Sequence, residues 1–124
     1  MLNIIVGFVA FQHLSFLVLE MFLWKSPIGK KIFGLSDQYA ETTASLAANQ
    51  GLYNGFLAMG LIWALLHPTP SFALQLKIFF LTCIVIAGIY GAISVNIRIL
   101  FIQSIPALIG LIYLFLQNRN FYAT

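Results

Sequence analysis

The chain has 124 residues, room for one domain, and a formal charge of +3 from six Lys and Arg against three Asp and Glu. Hydrophobic residues make up 61% and charged residues 7%, whereas a soluble domain carries about 25% charged residues on its wetted surface. Water is therefore the wrong solvent for most of this chain, and six scattered cations exclude a nucleic-acid footprint.

The pattern predicts an all-α protein, an integral membrane four-helix bundle in one domain over residues 1–124. The first span is Leu2–Trp24, whose only charge is Glu20. At 1.5 Å per residue it reaches about 34 Å, enough for a hydrocarbon core of about 30 Å. It lacks the basic start and small-residue cleavage site of a signal peptide. Link one, "KSPIGKKIFGLSDQYAETTAS", follows. In it Ser36 is a plausible N-cap and Asp37 suits the positive end of a new helix, so the second span can begin outside the membrane. Ile28, Ile32 and Phe33 among Lys25, Lys30 and Lys31 read equally as an interfacial segment or a solvated loop.

The second span is 46–66, ended by Pro68 and Pro70. The third is 72–93, with Lys77 near its start, and the fourth is 99–116, where Pro106 predicts a kink. "HPTPS" and "VNIR" are tight links, so spans two, three and four run as antiparallel hairpins. His67, beside the first of these links, reads as solvated. Trp24, Trp63 and Tyr113 read as interfacial anchors. Lone Cys83 excludes an intrachain disulfide and reads as a small hydrophobe.

Lys25, Lys30, Lys31 and Arg98 fall on one side of this topology, and Lys77 and Arg119 on the other. That bias puts links one and three in the cytoplasm and both termini outside the cell membrane. The intramembrane polar residues then gather in one leaflet: Glu20, the run "NQGLYN" (Asn49–Asn54), Tyr90, Asn96, Arg98 and Gln103.

His13 and Glu20 are seven residues apart, nearly on one helix face. They are the candidate catalytic pair, as a proton relay or general acid/base, with a helix-packing network as the alternative. Arg98 is the cation placed to meet Glu20. Asn49 and Tyr53, and Gln50 and Asn54, are each four apart and predict one broad polar face. Glu20, Asn49, Gln50, Tyr53, Asn54, Tyr90, Arg98 and Gln103 are the candidate ligand-binding residues, with interhelical hydrogen bonding the alternative for each.

Ala47, Gly51 and Gly55, and on the third span Ala87/Gly91 and Gly88/Ala92, form small-residue faces. Such faces allow close helix packing or a homo-oligomer. No metal site and no cofactor is expected: the two His lie at different depths, and no HExxH, phosphate loop or GxSxG occurs.

The blocks "HLSFLVLEMFLW", "KKIFGLS", "LAANQGLYNGFLAMGLIWAL" and "GIYGA" followed by "ILFIQSIPALIGL" resemble the small bacterial membrane proteins grouped as domain of unknown function 1304. The resemblance covers almost the whole chain and implies a four-span membrane protein without implying an activity. A more distant similarity is to the MAPEG superfamily of eicosanoid and glutathione membrane enzymes. Ala48, Asn49 and Tyr53 match that family's second helix, while Leu52 stands where its Glu belongs and Thr42 to Leu46 hold no arginine.

The expected function is a polar pocket in one leaflet for a small lipophilic molecule with a polar end. The alternatives are an intramembrane enzyme on lipophilic substrates and an accessory or assembly subunit without a pocket. The expected partners are the lipid bilayer, that ligand and a second copy of the chain; nucleic acid is not one.

Overall fold

A computed structural model describes residues 1–122, with side chains through Gln117. The tail after Gln117, including the side chain of Arg119 used in the topology argument, lies outside the described side chains. The elements in chain order are α1 (Leu2–Met21), α2 (Pro27–Phe33), α3 (Asp37–Leu66), α4 (Pro70–Ser94), a π turn (Leu100–Ser104) and α5 (Ile105–Tyr122). No strand occurs among the described residues, so the all-α expectation holds.

Three helical stretches are long and apolar enough to cross a membrane: Leu2–Met21, Pro70–Ser94 and Leu100–Gln117. Only 22% to 28% of each is buried within the protein. The rest exposes side chains such as Phe8, Phe11, Phe79, Ile86, Ile93 and Phe115. An apolar outside of this extent suits lipid rather than water. α3 has 30 residues, which is ample length, but it is not among the three. Asn49, Gln50 and Asn54 dilute its apolar half.

Local chemistry sets the boundaries. Ser26 caps α2 by accepting the Gly29 N–H at 3.1 Å, and Pro27 occupies the first turn, where a missing N–H costs nothing. Gly34, with φ 67°, ends α2 in the left-handed region that favours glycine. Of the two readings left open for link one, the structure supports a short helix with Ile28 and Ile32 exposed beside Lys30 and Lys31. Ser36 accepts the Tyr39 N–H at 3.2 Å, so α3 does begin well before its apolar half. The His67 ring closes the next link by accepting the Thr69 N–H through Nδ1 at 3.1 Å, and it lies between Trp63 and Phe72 rather than in open solvent. Pro106 has no N–H to donate, and the wider π turn lies immediately before it.

The chain divides into two compact units. One comprises Ala10–Met59: most of α1, α2 and the first three-quarters of α3. Here Gly51 of α3 lies against Glu20 and Met21, and Gly55 against Leu17, so the small-residue ladder does bring two backbones together. The other comprises Met1–Val9 with Gly60–Thr124. Its core is Val6, Val9, Leu61, Ala64, Leu81, Ile84, Ala107, Leu111 and Leu114. Gly88 of α4 lies against Ser104, whose hydroxyl donates to the Val85 carbonyl at 3.0 Å.

Candidate functional site

The buried positions of α1 are Val6, Val9, Ala10, His13 and Glu20. Successive members are three or seven apart except for one adjacent pair, which is the spacing of a single helix face. His13 and Glu20 are therefore core positions that happen to be polar, at 0% and 5% exposure. His13 sets its ring edge-on to Phe16, with centroids 5.5 Å apart.

α3 supplies the partners. Its buried stripe runs through Ala40, Ala47, Gly51, Asn54, Gly55 and Ala58, again at helical spacing. Gly51 removes the side chain that would otherwise hold α1 away, and this lets Glu20 reach the amides on either side. Gln50 Nε2 donates to Glu20 Oε1 at 3.0 Å, and Asn54 Nδ2 donates to Oε2 at 2.7 Å. Each carboxylate oxygen thus has an amide donor. Bonds to a charged acceptor are about twice as strong as neutral ones. The Asn54 bond is buried and the Gln50 bond partly so.

The link-one end of this unit is polar and paired. Trp24 Nε1 donates to Thr43 Oγ1 at 3.1 Å, and the indole packs on Phe33 with centroids 4.8 Å apart. Lys25 pairs with Glu41 at 3.2 Å and Lys30 with Asp37 at 2.6 Å. The hydrogen bond and charge of Lys30 hold the Asp37 carboxyl below its ordinary pKa.

The predicted polar face of α3 is divided rather than continuous. Asn54 is in the core at 6% exposure and Gln50 reaches in from the flank. Asn49 and Tyr53 point outward, and Tyr53 is 59% exposed with its ring edge on Phe56. At 100° per residue Asn49 and Tyr53 stand roughly 140–180° around the helix from the centre of the buried stripe.

Three further candidates lie in the other unit. Tyr90 is 71% exposed. Arg98 is exposed in the α4–π-turn link, where its N–H donates to Asn96 Oδ1 at 2.9 Å, and Gln103 is half-buried in the π turn. The Glu20–Arg98 pairing expected from charge joins residues of different units; within its own unit Glu20 takes a donor for each carboxylate oxygen from α3, the helix packed against it.

Sequence reasoning also missed a second polar constellation. Lys77 Nζ donates to Asn3 Oδ1 at 2.8 Å across 74 residues, at a cleft of about 280 Å³ lined by Met1, Leu2, Asn3, Lys77, Tyr113 and Gln117. No local spacing signals a contact between residues so distant in sequence.

Among the described residues three helical stretches are long and apolar enough to cross a membrane, and the unit Ala10–Met59 buries an acid held by two amides, as is consistent with a small all-helical membrane protein. The chain belongs to the family described as protein of unknown function (DUF1304), whose model matches residues 7–115. It is also similar to the uncharacterized protein YpaA of Lactococcus lactis subsp. lactis (strain IL1403), with 30% identity over 106 residues, 84% of this chain and 87% of that one. The family inferred from the sequence blocks is thus the family found, and it assigns no activity. No solved structure matches the chain.

Proposed function

We propose that the chain is a multi-pass protein of the bacterial cell membrane, crossing it four times as a helix bundle with both termini outside, and that it binds a small lipophilic molecule through a polar end. The amide face of α3 is the binding surface, and the Glu20 pair beneath it is the support. The observation that carries this reading is the outward placement of Asn49 and Tyr53, one turn apart beside Gln50, on a helix whose neighbouring amides Gln50 and Asn54 are used on Glu20. An amide and a phenol turned toward lipid lack the partners that water supplies, and a polar ligand end provides them. Apolar walls with a few convergent polar groups are the usual composition of a ligand site.

The test is mass spectrometry of small molecules that co-purify with the protein. Wild type is expected to retain a specific lipophilic species. Asn49→Leu with Tyr53→Phe is expected to lose it with thermal stability kept, since neither residue is in the core. Wild type carrying nothing beyond bulk lipid refutes the reading.

One observation favours a second reading, the assembly subunit. Glu20 is satisfied within the chain, and Ala87 of the α4 small-residue face is exposed. A partner helix on that face is tested by the oligomeric state of Ala87→Leu in detergent, where dissociation to monomer is expected.

A further inference from the structure

The chain has three side-chain carboxylates, Glu20, Asp37 and Glu41, and all belong to the unit Ala10–Met59. Each has its partners there: Glu20 the amides of Gln50 and Asn54, Asp37 the amine of Lys30, and Glu41 that of Lys25. The other unit holds Lys77, Arg98 and Arg119 and contains no Asp or Glu.

Of Lys77 and Arg98, whose side chains are described, Lys77 is the one that the fold draws inward. It lies in the second turn of α4, a helix of membrane length and composition, and is half-buried. Its amine donates to Asn3 Oδ1 at 2.8 Å, a neutral acceptor that fixes the ammonium without cancelling its charge. The cleft around it has room for a small anion and adds further donors, the Tyr113 hydroxyl and the Gln117 amide, beside the apolar Leu2. A fixed cation, neutral donors and an apolar flank fit a phosphate group attached to an acyl chain.

We propose that this cleft, bounded by Asn3, Lys77, Tyr113 and Gln117, binds a phosphate anion, and that an anionic phospholipid headgroup supplies it. The site is separate from the α3 face and does not depend on the function proposed for it. Lys77 provides the charge, Asn3 sets the direction of its amine, and Tyr113 and Gln117 donate to the remaining phosphate oxygens. The lipid source is argued from position: the lining residues Leu2, Asn3, Tyr113 and Gln117 stand near the ends of stretches long and apolar enough to cross a membrane, where a headgroup phosphate would lie.

The experiment uses the full chain purified in non-ionic detergent, with native mass spectrometry and thermal stability as readouts. The probes are phosphatidylglycerol, phosphatidylcholine and inorganic phosphate. Phosphatidylglycerol is expected to be retained in preference to phosphatidylcholine and to raise stability. Lys77→Gln is expected to weaken that retention about fivefold, the worth of one lysine near an anionic surface. Lys77→Arg keeps the charge and should keep retention, which separates loss of the site from loss of fold. Arg98→Gln removes an exposed cation outside the cleft and should change nothing. Stabilisation by inorganic phosphate that is lost in Lys77→Gln, with no preference between the lipids, keeps the phosphate site and overturns the lipid source. Equal retention of both lipids by wild type and Lys77→Gln, with no response to phosphate, overturns the site.

Discussion

Truncating Glu20 to alanine tests the central contact most directly. Two interhelical hydrogen bonds end on this carboxylate, at 2.7 and 3.0 Å. Interhelical hydrogen bonds in membranes average about 0.6 kcal/mol each, so the pair sets a floor of about 1.2 kcal/mol. The two partners respond differently to its loss. Gln50 is exposed and turns to another acceptor, whereas Asn54 is buried and its stranded amide costs about 1–3 kcal/mol. Glu20→Ala is therefore expected to lower stability in detergent by roughly 2–4 kcal/mol. Glu20→Gln should cost less, because a flipped Asn54 amide can accept from the new side chain. In a double-mutant cycle Glu20→Ala and Asn54→Ala should couple by more than about 0.5 kcal/mol, while Glu20→Ala and Arg98→Ala add within that margin. The reverse pattern, coupling to Arg98 and additivity with Asn54, would refute the assignment of partners.

Gly51→Ala should be costlier than Gly55→Ala, by about 1–3 kcal/mol in thermal unfolding. A Cβ at Gly51 meets the Met21 backbone nitrogen at 3.1 Å as well as Glu20, whereas at Gly55 it meets the movable tip of Leu17. The Lys30–Asp37 bridge carries a pH signature: the Asp37 carboxyl is held below its ordinary value, so its contribution is complete above that value and fades as pH falls through the lowered one. Amide-exchange protection of α2 should decline over that acid range in wild type and be flat in Asp37→Asn. For the four-span arrangement, single cysteines at Ser26 and Asn96 on a Cys83→Ala background should be shielded from an impermeant maleimide in intact cells. A cysteine at Thr69 should be labelled, and labelling of all three from one side breaks the topology.

Helix existence and many end signals were legible because they are local. Ser36 and Asp37 marked the start of α3, and the Leu2–Met21 and α4 spans follow from apolar length. The proximity of Glu20 to "NQGLYN" was also legible, since a hairpin of two spans puts their polar ends in one leaflet. Which donors Glu20 takes was not. That choice depends on Gly51, whose missing side chain lets α1 approach at the turn flanked by Gln50 and Asn54. The Asn3–Lys77 contact was illegible because it joins residues 74 apart through packing alone.

α3 poses the remaining energetic problem, because its composition does not by itself meet the requirement for a span while its 30 residues exceed it. Glu20 carries a related difficulty on α1, since an acid in a span costs up to about 2.5–3.5 kcal/mol at mid-bilayer and a smaller part of that near a helix end, where Glu20 lies. The two costs are met by one contact. When α1 and α3 pack, the acid gains two donors and two amides gain an acceptor, so the burden on each helix falls together. Insertion of α3 should accordingly depend on α1. In a glycosylation-mapping assay, α3 alone is expected to insert in a minority of chains, and α1 placed upstream should raise that fraction. Replacing Gln50 and Asn54 with leucine in the isolated segment should do the same without α1, because the polar cost is then removed at its source. If isolated α3 inserts as completely as isolated α4, its amides carry no insertion cost that Glu20 could offset, and the carboxylate–amide contact is a consequence of packing rather than a condition for it.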